Sequence, residues 1–183
     1  MLIQKYTKNW ADNFEKIKQK LETVLPITTK IEHVGSTSVP DLAAKNIIDI
    51  DIIYKVSEFD ISDFEEIKKA LSKLGYFHNG NQGIKDREVF KRQNDKNEEQ
   101  IDEVLDKITH HLYVCPSESE ELKRHLLFRD YLRQNVDART RYQTIKYNLA
   151  KKANQDKKVY AQIKEKEATD FINSIIEIAR QQH

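Results

Sequence analysis

Two aspartates two residues apart, Asp49 and Asp51, lie in the isoleucine-rich run "NIIDIDIIY". Thirteen residues before Asp49, Ser36 follows Gly35 in the turn "GSTS". In a strand, alternate residues face opposite ways, so Ile48, Ile50 and Ile52 share one face and Asp49 and Asp51 the other. Carboxylates two apart on one face stand roughly 7 Å apart, repel each other and call for a cation. A hard divalent ion such as Mg²⁺, with phosphate oxygens completing its shell, meets that need. The alternative is a pair of solvated acids on an exposed face. A glycine turn lets the backbone approach a ligand, and its amides with the Ser36, Thr37 and Ser38 hydroxyls form an anion cradle. The alternative there is a tight turn with local hydroxyl caps. A strand, a glycine-serine turn and a strand bearing D-x-D unite an anion site with a cation site, as phosphoryl or nucleotidyl transfer requires.

Elements must hold these residues in place. The spacing of Trp10, Phe14, Ile17 and Leu21 predicts an opening helix, stopped by Pro26. Lys30 to Val34 and Ile47 to Tyr54 read as strands, and Pro40 to Ala44 as a turn or short helix. Ser62 with Glu65 predicts a capped helix through Leu74, ended by Gly75. Tyr76-Phe77, Glu88 to Lys91 and "KITHHLYV" are strand candidates; "QNDKNEEQIDEVLD" reads as a loop or short helix. After Pro116 the pattern is helical, with Ser117 or Ser119 as cap. Two further helices follow, "DARTRYQTIKYNLAKKA" and "DKKVYAQIKEKEATDFINSIIEIAR". The expected fold is α+β: a mixed sheet with flanking helices and a helical C-terminal third, one domain over 1–183 with a core at 1–116 and helices at 117–183.

The totals narrow the function classes. Of 183 residues, 33% are charged and 38% apolar, with a formal net charge of +1. No global field draws the chain to nucleic acid or an anionic membrane, and basic residues are scattered among acids, so nucleic acid is not expected as the main partner. No apolar run nears the roughly 20 residues of a membrane helix, and the first residues lack the order of a signal peptide. The single cysteine, Cys115, allows neither an internal disulfide nor a CxxC zinc site. A cytoplasmic protein is expected.

"IEHVGSTSVPDLAAKNIIDIDI" resembles the signature of the GrpB family, roughly "HVGSTSVPGLAAKPIIDI". Tyr6 and Trp10 resemble its opening, "GIKDREVFKR" its "GIPGRRFF", "THHLYVC" its "HHLHV", and "HLLFRDYLR" its "FRDYLR". The likeness runs nearly the length of the chain. It implies a nucleotidyltransferase-like fold, with Gly35 and Ser36 binding a nucleoside triphosphate and Asp49 and Asp51 binding Mg²⁺ (or Mn²⁺). Asp41 and Asp86 stand where the family has glycine, and Asn46 where it has proline. The third acid of the superfamily pattern is missing from the later strand, which offers His111 as a substitute metal ligand, base or structural hydrogen bonder.

Around this site, Lys45 is a phosphate ligand or a solvated lysine, and Arg87 has a fork suited to phosphate. Arg129 and Arg133, with Lys146, can close over the nucleotide or acceptor; the rival is an ion-pair network with Asp130 and Asp137. His33 is a site residue or a hydrogen-bonded core histidine. The expected partners are a nucleotide and a small acceptor that the sequence does not identify, and the oligomeric state is left open. Three functions follow: a Mg-dependent nucleotidyl or phosphoryl transferase, a non-catalytic nucleotide-binding accessory module, or a hydrolase using Asp49, Asp51 and His111 on Mn²⁺ or Zn²⁺.

Overall fold

A computed structural model describes residues 1–56, 62–93 and 101–182, without the side chain of Ser62. The Ser62 cap and much of the stretch at 93–106 therefore lie outside the described residues. The elements run α1 (Asn9–Glu22), β1 (Lys30–Val34), a 3-10 turn (Ser36–Ser38), β2 (Ile48–Tyr54), α2 (Ser62–Lys73), β3 (Tyr76–His78), β4 (Glu88–Arg92), β5 (His110–Pro116), α3 (Glu120–Gln134), α4 (Val136–Lys152), α5 (Lys157–Glu167) and α6 (Thr169–Gln181). The sheet order is β1-β2-β5-β4-β3. Only the central β2–β5 pair is parallel; the other pairs are antiparallel. A mixed sheet with helices confirms the α+β expectation.

Alternation along β2 divides the molecule. Ile48, Ile50 and Ile52, each at most 1% exposed, face Trp10, Phe14, Ile17 and Leu21 of α1, Ile67 and Leu71 of α2, and Leu112 and Val114 of β5. Burying side chains of this size stabilises by about 1.5–3 kcal/mol each, enough to fix the register of β2. A one-residue slip would drive both aspartates into this apolar layer. The opposite face carries Asp49 and Asp51 toward the C-terminal helices.

Those helices have their own apolar clusters. Val39, Leu42, Leu132, Tyr142 and Ile175 form one. The other gathers Ile3, Ala43, Leu149, Ala150, Ala153, Tyr160 and Ala168. Ile3 is fully buried there, held by paired backbone hydrogen bonds between Gln4 and Ala44 (2.8 and 2.9 Å), while the Leu2 amide donates to Gln155 Oε1.

Ser119, not Ser117, caps α3: its hydroxyl accepts from the Leu122 amide. The stretch read as one final helix is two, α5 and α6, parted at the fully buried Ala168. The Thr169 hydroxyl donates to the Glu165 carbonyl, a back-bond that bends helices. Asp41 and Asp86, the residues standing at the family's glycine positions, adopt φ of 63° and 57°. Aspartate tolerates the left-handed region through local hydrogen bonding, which is why it substitutes there. Asn46, at the proline position, accepts the Trp10 indole N–H at 2.9 Å.

Candidate functional site

The site begins where β1 ends. Gly35 has φ 70° and ψ −169°, backbone essentially reserved for glycine. A Cβ there would stand 2.3 Å from Asp49 Oδ2, so the turn packs directly on that carboxylate. Inside the turn the Ser38 hydroxyl donates to Gly35 O (2.6 Å) and the Thr37 hydroxyl to Ile47 O (3.1 Å). These protons are spent on the turn itself, and of the three hydroxyls expected in the cradle only Ser36 has no such bond among the described residues. The Thr37 hydroxyl has one proton, so His33 Nε2, 3.0 Å away, must be its donor. His33 is buried, stacks on Phe14 at 4.7 Å, and burial pushes its pKa down to about 4. It is a neutral support beneath the turn, the core alternative of the two readings.

Each aspartate of β2 meets a histidine. The register sets Asp49 beside His111 and Asp51 beside Tyr113. His111 Nδ1 donates to Asp49 Oδ1 at 2.8 Å, and the ring is half exposed. Asp51 is fully buried. Its Oδ2 accepts from His125 Nδ1 of α3 at 2.7 Å, while Oδ1 has no partner among the described residues. His125 Nε2 in turn faces Glu121 Oε1 at 3.3 Å. Burial works to lower the pKa of His125, but the hydrogen bonds and charges of Asp51 and Glu121 outweigh it and raise it to about 9. His110, on the other face, is structural, holding Ile108 O (2.7 Å) and the Tyr76 hydroxyl (2.5 Å).

The space above Asp49 is a cleft of two lobes, about 310 and 240 Å³, which share Ser36, Asp49, Tyr113 and Lys164. The larger lobe is walled by Gly35, Glu121, Arg124, His125, Phe128 and Ile172. The smaller is cationic, lined by Thr37, Lys45, Lys146 and His111 besides the shared residues. Lys146 is buried; its amine donates to Ala43 O, and burial with the neighbouring Lys164 holds its pKa well below the usual range. Lys45 lies over the Tyr160 ring at 5.4 Å, its pKa lowered by burial and then by Lys164. Lys164 itself is raised, first by Tyr142. Three amines converging where the carboxylate among the lining residues is Asp49 make a lobe that an anion would relieve.

Gly35, Ser36, Lys45, Asp49, His111 and Lys146 thus come together, with Asp51 just beneath. Three expected residues lie elsewhere. Arg129, buried, donates to Glu32 Oε2 (2.7 Å), His33 O (3.0 Å) and Asp130 (2.7 and 3.1 Å), the ion-pair alternative, although Asp137 takes no part in these bonds. Arg133 donates to Ser38 O. Arg87 lies over the Tyr113 ring at 4.8 Å, its Nε buried without a partner among the described residues, and it supports the tyrosine rather than lining either lobe. Cys115 is fully buried and its thiol is pushed up to about 12, first by burial.

The sequence reading missed Glu121, His125 and Lys164. Glu121, His125 and Arg129 recur every four residues and share one face of α3, a signal that was present. Lys164 stands in the highly charged run "DKKVYAQIKEKE", yet it falls between buried Tyr160 and Ala168 at the same four-residue spacing. A cation inside an apolar stripe was its mark.

The two histidines make a prediction. His33 is lowered from 6.5 to about 4, so its contribution to stability is complete above pH 6.5 and is lost as pH falls toward 4. His125 is raised from 6.5 to about 9, so its contribution is complete below 6.5 and is lost as pH rises through 9. Urea unfolding across pH 4–9 should peak near 6.5, and His125→Gln should flatten only the alkaline limb. A wild-type alkaline limb that is already flat would contradict the pairing of His125 with Asp51.

A profile of the family described as GrpB protein matches residues 1–177. The chain belongs to the GrpB family. It is 31% identical to glutamate-rich protein GrpB of Alkalihalophilus pseudofirmus, over 96% of this chain and 95% of that protein. It is 36% identical to the UPF0157 protein YqkA of Bacillus subtilis over 79% of this chain, but spans only 38% of YqkA. The crystal structure of conserved protein GrpB from Enterococcus faecalis superposes with a TM-score of 0.76 at 31% identity, covering 98% of both chains. The Cid1 poly(U) polymerase bound to MgGTP superposes with a TM-score of 0.51 at 15% identity, over 81% of this chain and 44% of Cid1. That likeness places this GrpB chain in the nucleotidyltransferase-like fold. Among the described residues no helix is long and apolar enough to cross a membrane.

Proposed function

We propose that the cleft binds a nucleoside triphosphate with Mg²⁺ (or Mn²⁺) and passes a nucleotidyl or phosphoryl group to a small acceptor. The contact between Gly35 and Asp49 carries this reading: a turn open enough for phosphate, with no Cβ, set against a carboxylate. Mg²⁺ fits the donors present, because the buried Asp51 Oδ1 has no partner among the described residues and hard oxygen ligands are what the ion prefers. Asp49 and Asp51 would hold it, and when bound it would supply charge neutralisation on the phosphate oxygens.

The chain's own groups have separate tasks. The Gly35–Ser36 turn receives the phosphates, and Lys45, Lys146 and Lys164 balance their charge, a stabilisation that is strong in a site screened from water. His111, oriented by Asp49, presents Nε2 away from that bond, where it can take a proton from an acceptor hydroxyl or amine. Tyr113 and Arg87 stack to keep the floor rigid.

Calorimetry with Mg-ATP, Mg-GTP, Mg-CTP and Mg-UTP tests this. At least one should bind, and Asp49→Asn should weaken it ~10-fold or more, the factor that about 1.4 kcal/mol of lost interaction produces. No heat with any nucleotide would sink the reading. A second reading, a binding module without turnover, is favoured by one observation: no group of three or more His, Cys, Asp or Glu among the described residues is placed to hold a metal ion. Nucleotide affinity unchanged by Asp51→Asn and by chelator would select it.

A further inference from the structure

Glu121, Arg124, His125 and Phe128 fall at i, i+3, i+4 and i+7 along α3, so they share one face of the helix, and all four line the larger lobe. Ile172 and Ile176 of α6 form the opposite bank. The aromatic end is braced: Phe128 meets Tyr142 edge-on at 5.2 Å, and Tyr142 stacks on Phe171 at 5.7 Å. Lys45 and Lys146 belong to the smaller lobe alone, whereas the larger one sets apolar side chains beside a carboxylate and a guanidinium. Apolar walls with a few placed polar groups suit a flat heterocycle. The lobes join at Ser36, Asp49, Tyr113 and Lys164, so a ligand with its phosphates among the amines directs its nucleoside between α3 and α6.

We propose that the larger lobe is the nucleoside pocket and that Glu121, with Arg124, selects guanine. The proposal rests on the reading of the cleft as a nucleotide site. Glu121 has hydrogen-bonding capacity to spare. Its Oε2 stands 3.3 Å from Arg124 Nε and its Oε1 3.3 Å from His125 Nε2, both long beside the about 2.7–2.9 Å of a charge-assisted bond. An ionised carboxylate only accepts, and each of its oxygens can accept more than once. Arg124 only donates, and one of its N–H groups, at Nη2, is given to Asn173 Oδ1 at 3.1 Å. The base that matches this pair offers two neighbouring N–H groups to the carboxylate and a carbonyl to the guanidinium. Guanine does so through N1–H, its 2-amino group and O6. Adenine would turn a bare ring nitrogen toward the carboxylate, and neither uracil nor cytosine sets two N–H donors on adjacent atoms of that edge. A carboxylate facing an acceptor is left unpaired, which is the stronger ground for rejecting the wrong base.

Calorimetry on the full chain with the Mg²⁺ complexes of GTP, ATP, UTP and ITP, the last lacking the 2-amino group, tests this. GTP should bind ~10-fold or more tighter than each of the others, the factor that one hydrogen bond to a charged group produces. Glu121→Gln should weaken GTP by a like factor and change ITP far less. The same variant should gain ~10-fold or more for Mg-XTP, whose 2-carbonyl accepts from the new amide. A merely structural Glu121 would weaken every nucleotide alike, and that result overturns its role. If Glu121→Gln fails to fold, the wild-type comparison of GTP with ITP and ATP decides the matter. Equal affinities across the wild-type series, or tighter binding of another base, overturn the guanine assignment while leaving the nucleotide reading intact. No nucleotide bound by the wild type overturns both.

Discussion

Gly35→Ala should abolish measurable nucleotide binding, a loss of ~100-fold or more, and lower stability by about 3 kcal/mol. Two separate causes act in the same direction. The backbone at φ 70° and ψ −169° is costly for any residue with a side chain. The added Cβ would also fall 2.3 Å from Asp49 Oδ2, with Asp49 Cγ at 3.0 Å. The carboxylate cannot simply step aside, because its other oxygen holds His111 and its strand is registered between β1 and β5. Either the turn lifts, opening the proposed phosphate cradle, or Asp49 moves, parting the two carboxylates proposed to hold the metal. Calorimetry and urea unfolding on the same samples check both halves. An alanine variant with native affinity would mean that the turn is not the phosphate site.

Arg129→Met should cost about 2 kcal/mol of stability and leave nucleotide affinity within about a factor of two. The buried guanidinium joins α3 to β1 through Glu32 and the His33 carbonyl and grips Asp130 beside it. Methionine retains the packing and removes the bonds. Glu32 and Asp130 are 36% and 39% exposed and recover water, which keeps the cost below that of a wholly buried pair. The His33 carbonyl has no such recourse. Unfolding by urea gives the first quantity and calorimetry the second. A large loss of affinity with little loss of stability would instead make Arg129 a ligand of the nucleotide.

How far the site could be read from the sequence depended on the range of the interactions. Strand alternation separated Ile48, Ile50 and Ile52 from Asp49 and Asp51, because a period of two is local. The β1 boundaries at Lys30 and Val34 were legible because Gly35 breaks the strand, another local mark. The position of β5 beside β2 left no local mark, being a parallel neighbour 62 residues on, and only the family resemblance brought His111 to the aspartates. His125 was hidden likewise: it reaches Asp51 across 74 residues, from a helix whose charged residues mask its inward face. Lys164 was lost inside a lysine-glutamate run that averages to solvent. The break at Ala168 depended on one hydroxyl, that of Thr169, turning back on the helix.

The burial of Ile3 among α4, α5 and Ala168 has a bearing on the order in which the fold can close. Residues ahead of the sheet have their resting place on helices made well after it. The sheet can order itself once β1 to β5 have been synthesised, but Asp49 acquires its far wall, with Lys164, Ile172 and Ile176, only when α5 and α6 follow. Until then the nascent chain holds an aspartate strand without a cleft.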